Sequence, residues 1–289
     1  MAVYDYNGNV IIKAYAAGGS GLPYAYDAAG SIVFPDITVP SGALTASSVV
    51  ALPDIYGNGH GWTCTGLVYD AKTDTFLVGD IGKALPSSSG YASKIIRVSA
   101  DFGTVIEQIP LYTSFASMQD VQGVTIDTAD DTIWFCSPYE DLMRHIDSSG
   151  NSIGSFAVAN PTGVSYSVTD DTLWVVTYDN AILHMSKAGA ALASYSFAYS
   201  EALDQCFYDA KHGNLYITAG NNYTTTNNIY RLNTATGEQD VVCTVDSYSV
   251  EGIWIGADKM VIVNDGYYHS AAVAVNQANI YALTGGELT

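Results

Sequence analysis

An internal repeat limits what this chain can fold into more than any other feature. Four segments align: Thr65-GLVYDAKTDTFLVGD, Gln122-GVTIDTADDTIWFCS, Thr162-GVSYSVTDDTLWVVT and Asp204-QCFYDAKHGNLYITA. A fifth, Glu251-GIWIGADKMVIVND, has the same shape with a shorter turn. Each joins a short apolar strand to a polar turn, then to a second strand rich in Val, Ile, Trp and Tyr, which is a hairpin signature. A hairpin of lower contrast follows in each of the first four: Lys94-IIRVSADFGTVIEQIPL, Leu142-MRHIDSSGNSIGSFAV, Ile182-LHMSKAGAALASYSF and Ile229-YRLNTATGEQDVVCTV. Their turns hold a Gly among small or polar residues, which suits positive φ. Gly66, Gly123, Gly163, Gln205 and Gly252 open successive units at intervals of 57, 40, 42 and 47 residues.

Four strands per unit at this period predict an all-β protein, a five-bladed β-propeller of four-stranded blades. The last unit carries only three strands, ending in Asn279-IYAL. Its missing outer strand is assigned to Ser47-SVVALPDI, which would close the ring by pairing an open edge. A six-bladed ring is the alternative, but it needs another ~40 residues that the Gly/Pro-broken N-terminal stretch does not supply. The propeller is therefore expected over residues 43–289. Residues 1–42 hold two echoes, Tyr4-DYNGNVI and Tyr26-DAAGSIVF. Two such pieces cannot bury a core alone, so they are read as an N-terminal β arm for attachment or oligomerisation.

Composition removes several functions. Ten Lys+Arg against 29 Asp+Glu give a formal charge of −19, and a phosphate backbone would repel such a chain, so no nucleic acid is expected as a partner. No apolar run reaches the length that crosses a bilayer, so no membrane span is expected. The N-terminal residues show neither a basic region nor a long apolar one, which predicts synthesis in the cytoplasm without a signal peptide. Cys64, Cys136, Cys206 and Cys243 have no CxxC pairing and are read as reduced core thiols.

In a propeller the A–B and C–D turns share one face, here short and alike, and read as scaffold. The other face carries uneven loops in blades four, five and one, where binding is expected. Its aromatic and polar residues are the candidate ligand-binding set: Trp62, Tyr91, Gln122, Tyr178, Asn221, Tyr223, Tyr267, Tyr268 and His269, with His60 and Tyr139 on the same face. Such a mixture supplies rigid contacts with adaptable hydrogen bonds. At the channel mouth the strand-A entry positions are Thr65, Gln122, Thr162, Asp204 and Glu251. Asp204, Glu251 and Asp80 form the catalytic set if the protein is a hydrolase. Asp204, Glu251, Asn264 and Asp265 form the candidate metal set, with Ca2+ at the mouth as the cofactor they would suit. No nucleophilic triad can be assembled.

The pattern of Gly, an apolar pair, Asp, a turn and an aromatic β run, with Glu251-Gly-Ile leading to Val-Asn-Asp, resembles propellers of the NHL and SdiA-regulated type. That resemblance extends to calcium-dependent lactonases, which implies Glu251, Asp204 and Asn264 as ligands by kind. Five-bladed glycosidases use three strand-A carboxylates; here two of the five entries are acidic. The Tyr-Asp-x-x-Gly-x-x-Ile repeats of the arm resemble leaders of bacteriophage tail-fibre and tail-associated proteins. Together these readings predict a virion-associated recognition module. It would bind a cell-surface glycan or protein receptor through one loop face and other particle subunits through residues 1–42, on a virion or extracellular particle. The rivals are a glycan hydrolase or metal-dependent lactonase or esterase, and a purely structural particle protein.

Overall fold

The computed structural model describes residues 34, 36–57, 59–82, 93–111, 120–219, 226–265 and 276–283, and the backbone of four short strands before them. Those four are β1 (Ala2–Tyr4), β2 (Val10–Lys13), β3 (Ala25–Tyr26) and β4 (Ile32–Val33). They pair as β1 with β2 and β3 with β4, one hairpin for each echo. β5 (Gly42–Leu44) and β6 (Ser48–Ala51) follow.

The remaining strands make five blades, each an antiparallel sheet radiating from a common axis. Blade one contains β7 (Cys64–Asp70), β8 (Thr75–Asp80), β9 (Lys94–Ser99) and β10 (Val105–Pro110). Blade two contains β11 (Val124–Asp127), β12 (Thr132–Ser137), β13 (Leu142–Ile146) and β14 (Ser152–Ala157). Blade three contains β15 (Pro161–Ser167), β16 (Thr172–Thr177), β17 (Ala181–Ser186) and β18 (Ala191–Ser196). Blade four contains β19 (Cys206–Asp209), β20 (Asn214–Ile217), β21 (Asn227–Asn233) and β22 (Gln239–Val245). Blade five takes β23 (Val250–Ile255), β24 (Lys259–Asn264) and β25 (Gln277–Ala282) from the end of the chain. Its fourth strand is β6, antiparallel to β25 with Ser48 opposite Ile280 and Ala51 opposite Gln277. The ring is five-bladed and closes as the sequence predicts. β5 adds a fifth strand to blade four, parallel to β22. Among the described residues the only helical turn is the 3-10 segment Pro138–Glu140.

Local chemistry explains the regularity. The A–B turns of blades one, two and four start on Asp70, Asp127 and Asp209, whose carboxylates accept the backbone N–H two residues on, at 3.0, 3.0 and 3.1 Å. The A–B turns of blades one to four end on a left-handed residue, Asp74, Asp131, Asp171 or Gly213, and Asp and Gly tolerate that conformation best. The cores lie between blades, where alternate side chains of neighbouring sheets interlock. In blades two and three a strand-B indole stacks on a strand-C imidazole, Trp134 on His145 at 4.0 Å and Trp174 on His184 at 4.3 Å.

Phe34 and residues 36–46 strap the A–B face. Phe34 and Ile37 lie against the inner strands, Ile37 in the core of blades four and five, Asp36 pairs with Lys211 and His212 on the blade-four turn at 3.1 Å each, and the chain then joins the rim as β5. The strap therefore crosses the face opposite the channel mouth. All four cysteines are buried thiols without a disulfide, on β7, β12, β19 and β22.

Candidate functional site

The five innermost strands align position by position, and the alignment divides the channel into layers. At the second position stand Gly66, Gly123, Gly163, Gln205 and Gly252. The glycines let backbones touch: a methyl on Gly123 would lie 2.5 Å from the Gly163 Cα, and one on Gly163 2.5 Å from the Gln205 Cα. Gln205 is the exception, and it spans the throat. Its Oε1 accepts from Val164 N at 2.8 Å and Cys206 N at 3.1 Å, while its Nε2 donates to Val124 O at 3.3 Å. The channel is thus split into an acidic mouth above and a funnel below.

The mouth gathers carboxylates from three blades. Asp120, Asp204, Glu251 and Asp265 are each at most 6% exposed. Burial, then Asp265 and Asp204, holds the Glu251 carboxyl well above the usual carboxylate range, and a hydrogen bond joins it to Asp265. Asp265 also accepts from Ser249 Oγ at 2.8 Å. Gln122 donates to Asp120 at 2.9 Å. The Tyr178 phenol is pushed far up by burial and then by Asp204, Glu251, Asp120 and Asp265. Tyr178 is nevertheless 38% exposed, so its ring offers a surface to solvent beside the acids. Burial and the neighbouring acids thus favour the protonated form of Glu251, hydrogen-bonded to Asp265.

The structure unites Gln122, Tyr178, Asp204, Glu251 and Asp265 in one place, as the entry-position pattern suggests. Asp80 has partners of its own: its buried carboxyl accepts from the Tyr56 hydroxyl and from Gly82 N at 2.9 Å, and burial raises it to about 6. Thr65 and Thr162 spend their hydroxyls on Val121 O and Val176 O. Trp62 corrects its placement on the binding face. Its side chain is fully buried, packed with Leu52, Phe76 and Trp254 where the lead-in to β7 turns inward. Tyr91, Asn221, Tyr223, Tyr267, Tyr268 and His269 lie outside the described residues. His60 is half-buried, its carbonyl accepting from Asn276 N.

Among the described residues no three His, Cys, Asp or Glu side chains are grouped to hold a metal ion. Asn264 turns its Nδ2 to Ser247 Oγ and Asn279 Oδ1, and its buried Oδ1 has no hydrogen-bond partner among the described residues. Asp120 was missed because it precedes its strand by four residues, outside the repeat.

Below the throat the short A–B turns also surround a space. A cavity of about 450 Å3 opens there, walled by the lower halves of all five inner strands and by Phe34 and Ile37 of the strap.

No protein-family profile matches the sequence, and no curated protein does. Solved structures match in fold. Glutaminyl cyclase of Myxococcus xanthus superposes with a TM-score of 0.56 at 10% identity, covering 84% of this chain and 99% of that one. A chain of a nidogen/laminin complex gives 0.50 at 14% identity, over 70% and 72%. A virginiamycin B lyase from Staphylococcus aureus gives 0.47 at 15%; this chain spans 66% of its length. At such identities the likeness shows the propeller alone.

Proposed function

We propose that this protein is a recognition module that binds a cell-surface glycan at the channel mouth and is carried by residues 1–42 on a phage-type particle. One observation carries the glycan reading: the exposed ring of Tyr178 stands beside four buried carboxyl groups, with the Gln122 amide among them. Sugars present hydroxyls to carboxylates and amides and a C–H face to an aromatic ring, and a mouth of this kind offers both. Tyr139, 74% exposed at the strand-B end of blade two, extends the aromatic surface on the same side. The strap crosses the opposite face, which supports a mount that leaves the mouth free. The phage-type leader and the paired strands of both its echoes support the particle.

Glycan-array binding of the full chain tests this. Tyr178→Ala is expected to weaken the bound glycan at least tenfold, while a chelator leaves it unchanged. No glycan bound, or equal binding by Tyr178→Ala, overturns it. The Glu251–Asp265 pair favours one second reading, a glycan hydrolase, because a carboxyl whose protonated form is favoured by burial beside another can serve as general acid. Slow turnover of the bound glycan, abolished in Glu251→Gln with binding retained, would select it.

A further inference from the structure

The funnel beneath the throat is a second site, separate from the mouth and independent of the reading given to it. We propose that it binds a neutral, largely apolar small molecule with flat aromatic or fused-ring surface.

Its volume of about 450 Å3 lies in the range of pockets that enclose small organic ligands, roughly 300–1,000 Å3. The walls are apolar and aromatic: Val68, Ile126, Tyr166, Phe207, Tyr208 and Trp254. The upper end is blind, because the glycine layer and the Gln205 amide seal it. Among the described residues the opening lies on the A–B face, beside Phe34 and Ile37.

Most polar side chains of the wall are already engaged, which sets the ligand class. Thr125 Oγ1 accepts from Tyr166 N and Ser165 Oγ from Tyr208 N, both at 3.0 Å. The Tyr69 and Tyr166 hydroxyls donate outward to Asp74 and Asp171 at 2.6 and 2.8 Å, so their rings face inward without a free donor. The rim carboxylates are matched within the chain. Asp70 pairs with Arg97 at 2.6 Å, Asp209 with His212 at 2.7 Å, and Asp131 with Lys72. A charged guest would lose its hydration without gaining an uncommitted partner. A neutral apolar one releases water from the apolar surface of the wall.

The test titrates the full-length protein with N-phenyl-1-naphthylamine, a neutral fused-ring probe whose emission rises and shifts to the blue in apolar surroundings. Saturable binding with one probe per chain is expected. Ala71→Trp and Ala210→Trp, on two different A–B turns lining the rim, should each weaken it at least tenfold. Tyr178→Ala and Glu251→Gln at the mouth should leave it unchanged, so failure here and failure of glycan binding are read separately. Absence of saturable binding overturns the proposal. So does undiminished binding by both Trp variants when their melting temperatures match the parent, or loss of binding in the mouth variants alone.

Discussion

Glu251 and Asp80 are carboxyl groups that folding places where ionisation is costly. Both are held above their ordinary values chiefly by burial, Asp80 from 3.8 to about 6. The native state therefore keeps protons that the unfolded chain gives up. The stability tied to each group is full below its unfolded pKa and is lost as pH rises through the folded one. For Asp80 the loss runs from about pH 4 to 6 and amounts to roughly 3 kcal/mol; for Glu251 it has the same sign. Asp80→Asn and Glu251→Gln should match the parent in melting temperature near pH 4 and exceed it at pH 8. Melting curves at pH 4, 6 and 8 check this, and a variant that keeps the parent's pH slope contradicts it. At this scale the sequence exposed Asp204 and Glu251 because a repeat gives each residue an address. It misplaced Trp62 because the segment before β7 follows no repeat, and an indole is equally at home in a core or on a binding face.

The strands were legible wherever hydrophobic alternation and turn chemistry agreed, and that covers the blades. The closing strand β6 was legible too, since blade five lacked a partner and Ser47-SVVALPDI was available. β5 was not: three residues, Gly42–Leu44, carry no pattern, and their parallel pairing with β22 depends on where the strap leads the chain. Nor could the funnel be foreseen, because short uniform A–B turns say nothing of the space they surround. The two added strands differ in consequence. β6 completes a blade and joins the ends of the ring, whereas β5 only covers an edge that already has four strands. A chain starting at residue 46 should therefore unfold in one cooperative transition at modestly lower temperature. A chain starting at residue 53 should lose that transition and aggregate through the bared β25 edge. Calorimetry and size-exclusion chromatography of both truncations distinguish the cases; a cooperative melt from the shorter chain would remove β6 from its closing role.

Seen whole, the molecule is a ring with two unlike ends and an uneven charge. Of ten basic residues, Lys72, Arg97, Arg144, Lys187, Lys211 and Arg231 are tied in ion pairs. The rest of the field is negative, and the acids of the mouth add to it from inside. Two electrostatic effects then oppose each other. Salt screens the exposed ion pairs, each worth about 0–1 kcal/mol, and so destabilises. It also screens repulsion among the excess carboxylates of a chain at −19, and so stabilises. Repulsion should win, because the excess is spread over the whole ring while several pairs are partly buried and poorly screened. The melting temperature at pH 7 is expected to rise as sodium chloride goes from 10 to about 150 mM, where the Debye length falls to about 8 Å, and to level off beyond. A monotonic fall would mean that the few ion pairs, not the surplus of acid, set the electrostatic balance of the fold.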